Sequence, residues 1–156
     1  MTSRRALTSA VVVLVGLAVL QMAVPARTNP AVDPALELTA ASAPRPVVDV
    51  IRRACYNCHS SETVWPWYAR VPPSSWLVVS DVNEGRGQLN FSRWATYNPY
   101  DRADLLDKIC QDVSEKKMPL WQYRLVHPAA RLSSDEVAAI CAWTKEEADR
   151  LTKTGN

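Results

Sequence analysis

Cys55-Tyr56-Asn57-Cys58-His59 is a C-x-x-C-H run, the spacing of a c-type haem attachment site. Two thiols so placed reach the two vinyl groups of one porphyrin as thioethers. The histidine that follows is carried beneath the ring, where its imidazole ligates the iron. Two other chemistries use paired cysteines. A thioredoxin-like redox pair needs no following histidine and sits in a βαβ context, which this sequence lacks. A four-ligand zinc site would draw on Cys110, Cys141 or His127, and none of these forms a second tight pair. The run therefore predicts one haem c per chain, covalently held by Cys55 and Cys58, with His59 as an axial iron ligand.

The N-terminus fits that chemistry. Arg4 and Arg5 precede an uncharged stretch from Ala6 to Ala26, most apolar at Val11–Leu20. A positive n-region, an apolar h-region and small residues at Val24 and Ala26 read as an export signal over residues 1–26. Residues 7–24 are also long enough to span a bilayer if retained, although Thr8, Ser9 and Gln21 weaken them as an anchor. Either way the rest of the chain faces the periplasm, or the outward side of the cytoplasmic membrane. Haem c is attached and disulfides persist in that compartment.

Residues 27–46 are rich in proline and alanine, with Pro30, Pro34, Pro44 and Pro46 as breakers, so they read as a tether. That leaves one domain, residues 47–153. The formal charge of +2 is carried by Arg4 and Arg5, and without them 16 basic residues face 16 acidic ones. No basic stripe points to nucleic acid. Six tryptophans and one phenylalanine make indole the bulky core material, either as plain core or as haem wall.

The domain reads as helices and turns, a small all-α bundle of about four or five helices with the haem between them. Val47, Ile51, Ala54 and Cys55 recur at helical spacing, ending a short helix at the first cysteine. Trp65-Pro66-Trp67-Tyr68 is an aromatic turn before Pro72-Pro73. Ser74 or Ser75 is expected to cap a helix through Trp76, Val79 and Val82 towards Gly85. Leu89–Trp94 reads as a short apolar turn. Asn98-Pro99 starts a helix with Leu106, Ile109, Cys110 and Val113 as its inner stripe. Ser133 and Glu136 form a capping box for a last helix burying Val137, Ile140, Cys141, Thr144, Ala148 and Leu151.

The sixth iron position has few candidates. Outside the targeting segment the chain offers one further histidine, His127, and one methionine, Met118. Met118 lies 59 residues after His59, in a loop that Pro119 pulls out of helical geometry. Its thioether can lie over the ring face opposite the histidine. As a core gap-filler it would be poorly placed beside Lys116 and Lys117. His127, before Pro128, reads either as the alternative axial ligand or as a turn residue bonded to backbone.

Cys55–Ser60 and Trp65–Tyr68, with Leu89–Trp94, Lys117-Met118-Pro119 and His127-Pro128, resemble a bacterial haem-binding domain family. Its pattern is C-Y-x-C-H-S followed by W-P-W-Y. The similarity runs from about Val47 to Trp143. It implies haem binding by the cysteines and His59 and no defined reaction. The assignment of Met118 follows the general pattern of single-haem cytochromes c, which the chain also resembles.

Cys110 and Cys141 fall on the inner stripes of their helices. In an oxidising compartment such a pair predicts a disulfide, adding roughly 3 kcal/mol by chain entropy. A closed His59/Met118 pair makes the chain a one-electron carrier serving an unidentified redox partner protein, and not an enzyme. The alternative is a haem-based sensor or peroxidase-like protein, with a distal site left open or ligated by His127.

Overall fold

Local capping chemistry sets several helix boundaries. The Asn98 side chain accepts from the Asp101 amide at 2.9 Å, and Pro99 follows in the first turn. Ser133 and Glu136 exchange bonds, Glu136 Oε2 accepting from the Ser133 amide and Ser133 Oγ from the Glu136 amide. Both starts match the sequence reading. Ser74 does not cap. Its hydroxyl donates to the Tyr68 and Val71 carbonyls, tying the aromatic turn to the helix that begins there.

A computed structural model describes residues 2–38 and 43–154. Among them the chain is all helical, with no strand. The seven α-helices are α1 (Thr2–Met22), α2 (Arg45–Ala54), α3 (Tyr56–His59), α4 (Ser74–Gln88), α5 (Pro99–Ser114), α6 (Trp121–Val126) and α7 (Ser134–Thr154). Short 3-10 turns occupy Pro34–Leu36, Trp67–Arg70, Phe91–Thr96 and Pro128–Ala130.

α5 and α7 pack most extensively on each other, and α2 lies against α7. Leu106, Val113, Ile140, Ala148 and Leu151 are buried between these helices, while Ile109, Cys110, Val137 and Cys141 are half-buried. Phe91 and Trp94 complete the core, and the Phe91 ring stacks on Tyr56 with centroids 5.5 Å apart. Buried Ser75, Val79, Val82 and Gly85 form the inner face of α4. Trp76 stands off that face.

The stretch expected as a tether lies along the domain where it is described; residues 39–42 fall outside the described residues. Leu38 is only 1% exposed and belongs to the core. Glu37 pairs with Arg52 of α2 at 3.0 Å, and Asn29 accepts from the Trp65 indole at 3.1 Å. These attachments are made to residues distant in sequence, so proline content alone does not reveal them. α1 is not packed on the core. Its Arg4–Met22 window has a mean hydropathy of 1.9, with none of it buried.

Candidate functional site

Cys55 closes α2 and α3 begins at the next residue, so the C-x-x-C-H run folds as a tight helical corner. The Cys58 and His59 amides both donate to the Cys55 carbonyl, at 3.1 and 2.9 Å. Cys55, Cys58 and His59 line one mostly apolar cavity of about 500 Å³, a size typical of ligand clefts. α4 adds Val78 and Val82 to its wall, and α5 adds Leu105 and Ile109.

His59 Nδ1 lies 3.2 Å from the Leu89 carbonyl. A donor bond there fixes the ring and leaves Nε2 for a metal. Burial lowers the His59 pKa, favouring the neutral imidazole, the form able to ligate a metal. Burial also pushes Cys55 up to about 12 and Cys58 to about 11. Thiols so reluctant to ionise make poor exchange nucleophiles, which weighs against a thioredoxin-like pair. Among the described residues, no group of three or more His, Cys, Asp or Glu is placed to hold a metal ion. A largely apolar cavity beside two thiols and an imidazole with one free nitrogen suits a porphyrin and its iron.

Several residues shape this corner without a motif to announce them. A Cβ on Gly85 would sit 2.7 Å from the Cys58 carbonyl oxygen, so α4 crosses the motif backbone to backbone. Glycine permits that approach. The next residue, Arg86, donates to the Ser60 carbonyl and to Thr63 Oγ1, each at 2.7 Å. The same guanidinium donates to the Thr28 carbonyl at 2.7 Å and Asn29 Oδ1 at 2.9 Å. It joins the segment after His59 to the segment after α1. Gly85-Arg86-Gly87 inside a helix was the available sequence signal, since glycine there calls for a packing reason. Asn57, between the cysteines, donates to the Tyr123 hydroxyl at 2.7 Å.

Met118 and His127 reach the same cavity. Past the end of α5, Lys116 takes the left-handed conformation at φ 59°, and the half-buried Met118 follows. His127 Nε2 lies 2.6 Å from the Tyr68 hydroxyl, and its ring stacks on Tyr123 with centroids 4.1 Å apart. Burial lowers the His127 pKa as well. The turn reading gave this side chain a backbone partner; the partner is instead the tyrosine of W-P-W-Y. None of the tryptophans lines the cavity: Trp94 and Trp143 are core, Trp65 is half-buried, and Trp67, Trp76 and Trp121 are exposed. The plain-core reading of indole holds for Trp94 and Trp143, and aliphatic residues and tyrosines make the cavity wall.

Cys110 and Cys141 form a disulfide between α5 and α7, with Cα atoms 4.8 Å apart, within the ordinary span of such a bond. It follows directly after the wall residue Ile109.

Searches of curated proteins and of solved structures give no significant match. A family described as a haem-binding domain matches residues 15–146, which takes in the cavity, the C-x-x-C-H corner and both proline-marked loops. The chain belongs to this haem-binding domain family.

Proposed function

We propose that this protein is an exported one-electron carrier whose haem is bound covalently through Cys55 and Cys58 and ligated by His59 and Met118. The observation that carries this reading is the convergence of those four side chains on one mostly apolar cavity. Haem c, when bound, supplies a reversible one-electron couple. The chain's part is to hold the imidazole neutral and oriented through the Leu89 carbonyl. It also supplies a thioether, which raises the potential relative to a second histidine, and surrounds the group with apolar residues. His127 is the weaker ligand candidate, because Tyr68 and Tyr123 already engage its ring.

Export is supported by α1, whose length and apolarity suit a signal or an anchor. The anchor reading is favoured by the end of this helix, where Gln21 Nε2 donates to the Arg70 carbonyl at 2.9 Å. On this reading the domain works at the outward face of the cytoplasmic membrane and passes electrons to a partner protein.

Spectra of the oxidised and reduced holoprotein test the ligand set. Methionine ligation gives low-spin iron in both states and a weak far-red band in the ferric form. Met118→Ala should abolish that band, admit carbon monoxide or cyanide, and lower the potential. High-spin iron in the unaltered protein would replace the carrier with the sensor or peroxidase-like reading.

A further inference from the structure

We infer that the Trp67–Val71 turn, with Trp76 of α4, is a membrane-seating face that sets the domain directly on the bilayer. This rests on the reading of α1 as a retained anchor and adds to it a contact made by the folded domain. Trp67 is 76% exposed, and Val71 and Trp76 are exposed as well. None of the three lines the cavity, so binding a cofactor there would not cover them.

Three hydrogen bonds connect this face to the exit of α1. Gln21 Nε2 donates to the Arg70 carbonyl at 2.9 Å, and the Trp76 indole donates to the Ala23 carbonyl at 2.9 Å. Arg27 Nη1 donates to the Ala69 carbonyl at 3.2 Å. A helix of 21 residues is about 30 Å long, the thickness of the hydrocarbon core. With α1 across the bilayer, Gln21 and Ala23 lie at its outer boundary, and groups bonded to them lie at headgroup depth. That is where tryptophan concentrates, with its ring in the apolar layer and its N–H in the polar one. The exposed Arg70 beside these rings suits an anionic lipid headgroup.

The consequence is a fixed orientation. Trp67 contacts Tyr68 edge-on at 5.9 Å, and Tyr68 lines the cavity. Seating the turn therefore holds the cavity at a set height above the membrane. A second apolar patch, Trp121 and Leu125 on α6, is comparably exposed, but among the described residues it has no hydrogen bond to α1.

The test uses full-length holoprotein in vesicles of phosphatidylethanolamine and phosphatidylglycerol. These carry a phospholipid with a photoreactive diazirine near its headgroup, and crosslinked residues are mapped by mass spectrometry. The expected result is label in α1 and at Trp67, Val71 and Trp76, with Trp121 and Leu125 clear. In Trp67→Ser/Val71→Ser protein the turn should lose its label while α1 keeps it. Label confined to α1 would overturn the seating face and leave the anchor standing. Equal label on Trp121 and Leu125 would also overturn it, by showing general capture of apolar surface. An unlabelled or missing α1 would remove the anchor reading and the face with it.

Discussion

Gly85 and Cys58 touch backbone to backbone: a Cβ on the glycine would fall 2.7 Å from the cysteine carbonyl oxygen and 3.3 Å from its Cβ. The atoms in the way belong to the C-x-x-C-H corner and not to a flexible side-chain end. The separation of α4 from α3 therefore governs the geometry of the C-x-x-C-H corner.

Gly85→Ala should force these elements apart, destabilising the domain by about 1–3 kcal/mol, as overpacking does. Covalent holoprotein should fall in parallel, because the corner presents both thiols. Gly87→Ala is the control. Nothing lies within 4 Å of a Cβ there, so alanine should be neutral or gain up to about 1 kcal/mol of helix propensity. Denaturant midpoints and haem-stained denaturing gels read both effects. Equal behaviour of the two variants would remove the packing argument.

Arg86 spans two segments distant in sequence, residues 28–29 and 60–63, with one guanidinium. Losing its charge-assisted bonds puts the cost of Arg86→Ala at about 2–3 kcal/mol. Arg86→Lys should recover little, since an ammonium lacks the planar fork that serves several acceptors at once. Limited proteolysis should then cut within residues 24–38 of the variants sooner than in the unaltered chain. Protection unchanged by either substitution would mean the segment is held elsewhere.

What the sequence discloses here follows the range of the interaction. Asn98 with Asp101, and Ser133 with Glu136, act across three residues, so their helix starts could be read from neighbours alone. The C-x-x-C-H corner is equally local. Cys110 and Cys141 were legible because an expected oxidising compartment and two inner stripes left them few alternatives. Gly85 and Arg86 are defined by segments more than 20 residues away, and Leu38 by a core that draws on residues as distant as Leu151; no periodicity carries that information. Ser74 misled for a different, local reason. Its hydroxyl has a better partner in the preceding turn than in its own helix. The tryptophans stayed open between core and wall, because composition says how much indole a chain has and not which face it occupies.

The Cys110–Cys141 bond closes a separation of 31 residues, for which chain entropy gives about 3–4 kcal/mol. The Cys110→Ala/Cys141→Ala protein should lose about that much stability while still attaching haem, because neither residue lines the cavity. Alkylation of unreduced, denatured holoprotein should label neither cysteine. Labelling of both before reduction would show free thiols in the protein as made.

His127 provides the sharpest separation between the carrier and its alternative. Its Nε2 meets the Tyr68 hydroxyl at 2.6 Å, and its ring stacks on Tyr123. With Met118 on the iron, these contacts brace the loop that carries the methionine and leave the iron's electronic state alone. Tyr68→Phe removes only the hydroxyl and should cost about 1 kcal/mol of stability. His127→Ala also removes the stacked ring and should cost about 1–3 kcal/mol. In both variants the low-spin spectrum and the far-red band should persist, and cyanide should bind no faster than to the unaltered protein. A His127→Ala protein that turns high-spin, while Met118→Ala keeps its spectrum, would assign the sixth position to His127. The Tyr68 hydroxyl would then be a group that has to release the imidazole before iron binds it. Tyr68→Phe would in that case strengthen ligation, which magnetic circular dichroism of the ferric protein would register as a bis-histidine signal.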